Sequence, residues 1–133
     1  MDINNIQVGF KAERELLVNQ DNTAKKYGSG AIEVFATPAM IGLMEGAAMD
    51  AVQSFLPDGF GTVGTLIQVN HVAATPIGMK VIAKAEVTQV NGKRITFRVE
   101  AYDEVGLIGE GVHERYIIDE VRFLEKVASK GTK

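Results

Sequence analysis

Ala36-Thr37-Pro38-Ala39-Met40-Ile41-Gly42-Leu43-Met44-Glu45-Gly46-Ala47-Ala48-Met49-Asp50-Ala51-Val52-Gln53-Ser54-Phe55-Leu56-Pro57 is the stretch that decides the fold. Thr37 is a residue type that caps helices, Pro38 then falls at the first helical position, and Pro57 marks the stop. The helix so bounded runs for about nineteen residues, or about 28 Å. It is apolar nearly all round, which demands burial on most sides. Gly42, Gly46, Ala47, Ala48 and Ala51 are small, so a neighbour can approach closely. A single helix of this kind needs a sheet wrapped around it.

The flanking sequence supplies that sheet. Residues 10–18 alternate Phe10, Ala12, Arg14, Leu16 and Val18 against Lys11, Glu13, Glu15 and Leu17, a first strand. Residues 20–30 read as a loop, and Ile32 to Phe35 as a short strand before the helix. Gly64 to Val72 is rich in Thr, Val and Ile. Met79 to Val90 alternates Val81, Ala83, Ala85 and Val87 against Ile82, Lys84, Glu86 and Thr88. Asn91-Gly92 is a strong hairpin signal, followed by Ile95, Phe97, Val99 and Ala101 on one face of Lys93 to Asp103. A turn at Asp103-Glu104-Val105-Gly106 leads to a last strand, Leu107 to Val121. Gly109 and Gly111 within it signal a bulge or a close approach. Ala83, Ala85 and Ala101 suit a concave face over a thick helix. The fold class is α+β: one long central helix embraced by an antiparallel sheet of five or six strands, the hotdog arrangement.

Composition bounds the chemistry. The 133 residues are one domain's worth, expected at 1–127 with an unstructured tail at 128–133. A net charge of −3, with basic residues only in pairs such as Lys25-Lys26 and Lys93-Arg94, gives no field for nucleic acid. The absence of cysteine removes disulfides, thiolate metal sites and Cys nucleophiles. Two histidines, His71 and His113, make a His-rich metal site a poor fit, and neither metal nor cofactor is expected. Met1-Asp2-Ile3-Asn4-Asn5 carries no signal-peptide pattern and no run approaches ~18 apolar residues. The expectation is a cytoplasmic protein with no membrane partner.

Several motifs go beyond pattern. They are Phe35-Ala36-Thr37-Pro38-Ala39-Met40 through Glu45, Thr62-Val63-Gly64-Thr65, His71-Val72-Ala73-Ala74-Thr75-Pro76-Ile77-Gly78-Met79, Val90-Asn91-Gly92-Lys93-Arg94, and Ile108-Gly109-Glu110-Gly111-Val112-His113-Glu114-Arg115. Together they resemble the fluoroacetyl-CoA thioesterase family, over residues 7 to 127. The resemblance implies a homodimeric hotdog enzyme that hydrolyses acyl-CoA thioesters. It implies catalytic roles for Thr37, Glu45 and His71, and places Gly64 and Arg115 near the acyl group. One stretch departs. Where the fluoroacetyl-specific enzyme has a longer, phenylalanine-bearing lid, this chain has Tyr27-Gly28-Ser29-Gly30-Ala31-Ile32. Weak fluoroacetyl selectivity is therefore expected, with thioester hydrolysis retained.

Each residue also has a plainer reading. Glu45 sits among Leu43, Met44, Ala47 and Ala48, where a carboxylate is costly to bury unpaired, so a base or nucleophile reads better than a solvated stripe. Thr37, read from sequence alone, is first a helix cap. Thr37 and Glu45 are eight residues apart, about 12 Å along one helix, so joint action on one thioester points to residues from two chains at a dimer interface. His71 ends a strand and can take a proton from Thr37 or from water, or be merely structural. His113 shares a strand face with Arg115 and reads as structural by default. Gly64 offers a bare backbone N–H to the acyl group or simply bends a strand. Arg115 pairs with a carboxylate across the sheet in the common case. Met40, Met44 and Met49 read as core. The enzyme reading competes with a non-catalytic hotdog module that binds an acyl-CoA or other small ligand, and with a dehydratase that no residue specifically supports.

Overall fold

The computed structural model describes residues 5–132; residues 1–4 and Lys133 lie outside the described residues. The strands are β1 (Lys11–Leu17), β2 (Phe60–His71), β3 (Lys80–Asn91), β4 (Arg94–Tyr102) and β5 (Leu107–Asp119). They form one antiparallel sheet in the order β1-β3-β4-β5-β2. Three helices accompany it: α1 (Ala24–Tyr27), α2 (Thr37–Val52) and α3 (Glu120–Ala128). This is the α+β hotdog arrangement, with five strands.

The sheet curls over α2 because its inner face is small where the helix is thickest. Val81, Ala83, Ala85 and Val87 of β3 and Ile95, Phe97, Val99 and Ala101 of β4 are all buried, as the alternation required. They meet Ala39, Met40, Leu43, Met44, Ala47, Ala48, Ala51 and Val52 of α2. Enlarging one of those alanines would overpack this layer at a cost of about 1–3 kcal/mol. Gly46 has a separate reason to be small. Arg14 of β1 lays its guanidinium where a Cβ would stand, and its Nε and Nη2 then reach Asp50 at 2.6 and 3.0 Å. Gly109 likewise leaves room for Met40, and Gly111 for the β2 backbone, so both glycines mark close approaches.

The β3–β4 hairpin closes as read. Asn91 pairs with Arg94, and Gly92 takes a φ of +63°, which suits glycine at the first loop position. Asp103 shapes the next turn by accepting from Val105 and Gly106 backbone N–H groups.

Four local expectations change. Residues 20–30, read as loop, contain two short helical pieces, Gln20–Asn22 and Ala24–Tyr27. Asn19 and Asn22 exchange side-chain caps around a short 3-10 turn, Thr23 accepts the Lys26 N–H, and Gly28 ends α1 at φ +73°. Ile32 to Phe35 is not a strand. Its backbone bonds go to Ala24 and Lys25 of α1 and to Thr75, leaving two isolated bridges. The central helix is 16 residues long, ending in a 3-10 turn at Gln53–Phe55. Finally, the last strand stops at Asp119, whose side chain accepts the Arg122 N–H and starts α3. Ala128 closes α3, and Ser129–Thr132 continue as a 3-10 turn over the stretch read as a tail.

Candidate active site

Thr37 does not cap the helix. Ala36 is the cap residue, with extended backbone, and its carbonyl accepts the Met40 N–H at 3.0 Å. Thr37 is therefore the first residue in helical conformation, and Pro38 follows among the turn's unbonded N–H positions. The Thr37 hydroxyl is left free, and it lies 2.7 Å from Nδ1 of His71.

The two partners come from different elements, and a short web of backbone bonds holds them together. His71 is the last residue of β2. The chain after it is fixed by Val72 N–H to the Ile108 carbonyl, 2.7 Å. Thr75, fully buried, donates its hydroxyl to Asp103 at 2.8 Å, while its carbonyl accepts the Phe35 N–H at 2.9 Å. Ala36 N–H bonds the Asn22 carbonyl. The start of α2 is thus tied to the loop that carries His71. Burial pushes the His71 imidazole below its ordinary pKa of 6.5, against a smaller opposing effect of the Ala73 carbonyl. With its proton on Nε2, the neutral ring accepts the Thr37 hydroxyl at Nδ1. That Nε2 is buried and has no hydrogen-bond partner. The cleft is lined by Ala24, Ser29, Val34, Thr37, His71 and Ala73.

Glu45, Gly64 and Arg115 form a second cleft, with Met49 and Thr62 on its wall. Gly64 is its centre. A Cβ added there would stand 3.1 Å from His113 Cε1, 3.2 Å from Glu45 Oε2 and 3.5 Å from Arg115 Nη1. Glu45 is half-buried on α2. Arg115 is 8% exposed and does not make the expected carboxylate pair across the sheet. Its Nε donates to the Thr62 hydroxyl at 2.7 Å and its Nη2 to the Thr62 carbonyl at 2.9 Å. Burial lowers its pKa, and the charge of Glu45 opposes that.

The structure therefore brings Thr37 to His71, and Glu45 to Gly64 and Arg115, but it does not bring the two groups together in one chain. Gly64 and His71 are seven residues apart on β2, about 23 Å along the strand. Two further residues hold Arg115 at the second cleft. Thr62 carries Arg115, and His113, fully buried, touches the same guanidinium at 3.2 Å. The shared strand face of His113 and Arg115 is the sequence signal for the latter pair. Thr62, two residues before Gly64 on β2, carries no comparable one.

The profile of the fluoroacetyl-CoA-specific thioesterase family matches residues 18–121. The chain belongs to this family. The fluoroacetyl-CoA thioesterase of Streptantibioticus cattleyicolor is 48% identical over 98 residues, 74% of this chain and 70% of that protein. The crystal structure of a fluoroacetyl-CoA thioesterase superposes with a TM-score of 0.89 at 39% identity, covering 96% of this chain and 98% of that one. A thioesterase superfamily member from Thermus thermophilus superposes at 0.87 with 30% identity, over 97% and 95% of the two chains. With these thioesterase relatives, the chain is an acyl-CoA thioesterase, a hydrolase of the hotdog fold.

Proposed function

We propose that two copies of this chain form a homodimer whose shared sites hydrolyse acyl-CoA thioesters carrying a small acyl group. Thr37 and His71 of one protomer act with Glu45, Gly64 and Arg115 of its partner. The observation that carries this reading is the Thr37 hydroxyl, not used in capping, at 2.7 Å from Nδ1 of His71, whose pKa burial pushes down toward the neutral form. It is the nucleophile-and-base pairing that covalent acyl transfer requires.

The division into two clefts supports a shared site. β2 is a sheet edge of 12 residues with Val63, Leu66, Ile67 and Val69 only half-buried, and such edges are normally paired or covered. An antiparallel pairing of β2 with its copy, centred between Ile67 and Gln68, sets Gly64 opposite the partner's position 71. The two half-sites then meet, as a two-fold interface requires. A carboxylate from the partner's helix would also answer the unpartnered Nε2 of His71.

In the first half-reaction Thr37 attacks the thioester carbonyl and His71 takes the hydroxyl proton. The C–S bond breaks and that proton passes to the departing CoA thiolate. The N-terminus of α2 favours the negative charge that develops there. In the second half-reaction Glu45 takes a proton from water, which attacks the acyl-threonine ester. The carboxylic acid leaves and the proton returns to the threonine oxygen. Arg115 and the Gly64 backbone face the acyl group. The reading carries no resident cofactor, and a cytoplasmic location follows from the substrate, since polyanionic CoA esters do not cross membranes unaided. Among the described residues no helix is long and apolar enough to cross a membrane.

The test is free-thiol release from a panel of acyl-CoA esters by the wild type, Thr37→Val and Glu45→Gln. Both variants keep side-chain volume. Each should lose on the order of a hundredfold or more in kcat. Near-normal turnover in either folded variant removes that residue from the mechanism, and no hydrolysis of any ester by the wild type leaves only a ligand-binding role.

A further inference from the structure

His113 takes no part in the steps above, yet it is fully buried beside the Glu45 cleft. Its ring stacks toward Phe97 of β4, with centroids 6.0 Å apart. The sheet register shifts between Gly64 and Leu66 on β2, and there the His113 Nδ1 lies 2.8 Å from the Leu66 carbonyl. A carbonyl can only accept, so Nδ1 carries the proton. The Nε2 of the neutral ring is then left with a lone pair and no hydrogen. Arg115 Nη1, which can only donate, lies 3.2 Å from that Nε2.

We infer that His113 is a positioning residue for Arg115, its Nε2 lone pair holding Nη1 beside Gly64 where the acyl group is bound. Thr62 grips the other side of the guanidinium through Nε and Nη2, so the fork is fixed at three of its nitrogens. Without His113 the Nη1 end has no protein partner among the described residues, and the rigid guanidinium, held along one edge only, can tilt about its Thr62 contacts toward the Glu45 carboxylate. The groups charged around His113 are Arg115 and Glu114 on β5 and Glu45 on α2. Burial and Arg115 both oppose a charge on the ring, which keeps the lone pair available. The inference rests on the reading that Arg115 acts at the acyl group.

Two substitutions separate positioning from a purely structural role. His113→Asn keeps a donor near the Nδ1 position but is too short to reach Arg115. His113→Gln carries an amide oxygen to the Nε2 position and gives up the Leu66 bond. Losing one hydrogen bond to a charged group should lower kcat/KM for acetyl-CoA roughly tenfold to a hundredfold in His113→Asn, with its melting temperature near the wild type. His113→Gln should recover activity to within a few-fold while melting lower. The reverse pattern, activity following melting temperature, overturns the inference. Long-range 15N–1H spectra of the wild-type protein at neutral pH give a check that needs no variant. They should show His113 protonated at Nδ1 only, and a proton on Nε2 overturns the inference. Arg115→Lys, run alongside, distinguishes the two failures. If it is unimpaired, the reading of Arg115 at the acyl group fails and the inference with it. If it is impaired while His113→Asn is not, only the inference fails.

Discussion

Gly64→Ala adds a single methyl group at the point where Glu45, His113 and Arg115 converge. The new Cβ would lie 3.1 Å from His113 Cε1 and 3.2 Å from Glu45 Oε2. Both distances are short for contacts of carbon, so a neighbour must move by some tenths of an ångström. His113 is held at both ring nitrogens, by the Leu66 carbonyl and by Arg115. Glu45 is half-buried, and no hydrogen bond restrains its carboxylate among the described residues, so of the two it yields more easily. The fold should tolerate the change. Gly64 does not have a positive φ, and alanine in a strand recovers roughly 0.5–1 kcal/mol of backbone entropy against about 1–3 kcal/mol of crowding. The melting temperature should then fall by no more than about 10 degrees. The chemistry should not tolerate it. Misplacement by about 1 Å costs on the order of a hundredfold in rate, so a carboxylate pushed aside by a few tenths of an ångström should cost roughly tenfold. The assay is kcat/KM for acetyl-CoA by free-thiol detection, paired with thermal melting on the same samples. A folded Gly64→Ala enzyme within a few-fold of the wild type would refute the placing of Glu45 and Arg115 around Gly64.

Two other outcomes follow from the same geometry. His71 must be neutral to accept the Thr37 proton, and burial holds its pKa below 6.5, so kcat/KM should stay level down to about that pH and fall only in a more acid range. Stability moves in the same direction. His71 and His113 both have folded pKa values below the unfolded 6.5, so the stability their neutral forms contribute is complete above 6.5 and is lost as pH falls from there to the folded values. A melting temperature that rises on acidification from 6.5 to 5 would contradict this. On the substrate side, α1 ends at Gly28, and Tyr27 and Ile32 are exposed rather than folded over the cleft. Side-by-side specificity constants should favour fluoroacetyl-CoA over acetyl-CoA by less than roughly a hundredfold, with longer acyl chains accepted. A larger preference would show that selectivity does not need an apolar lid.

The fold was legible because its signals are local and redundant. Alternation in β3 and β4 and the Asn91-Gly92 hairpin all named the same buried face. So did the apolar run of α2. What failed were boundaries at which one residue type serves two purposes. Thr37 before Pro38 reads as a cap, yet Ala36 supplies the first helical carbonyl and the hydroxyl turns to His71. The strand pattern of Ile117 and Ile118 ran on into Val121, hiding α3. The spacing of Val121, Leu124 and Val127, with Asp119 as cap, was the missed signal. At the site, Glu45 was legible as a carboxylate among apolar neighbours. The Arg115 grip on Thr62 was not, because it depends on a cross-strand register that no pattern prints.

The claim that two chains share each site has one direct test. Thr37→Val and Glu45→Gln chains, each inactive alone, are co-refolded in equal amounts. If Thr37 of one protomer works with Glu45 of its partner, half of the dimers are mixed, and each mixed dimer holds one site with both residues intact. Activity should then return to about a quarter of the wild-type level. If the mixture stays as inactive as its components while sedimentation shows mixed dimers, both residues serve the same chain's site and the account is wrong.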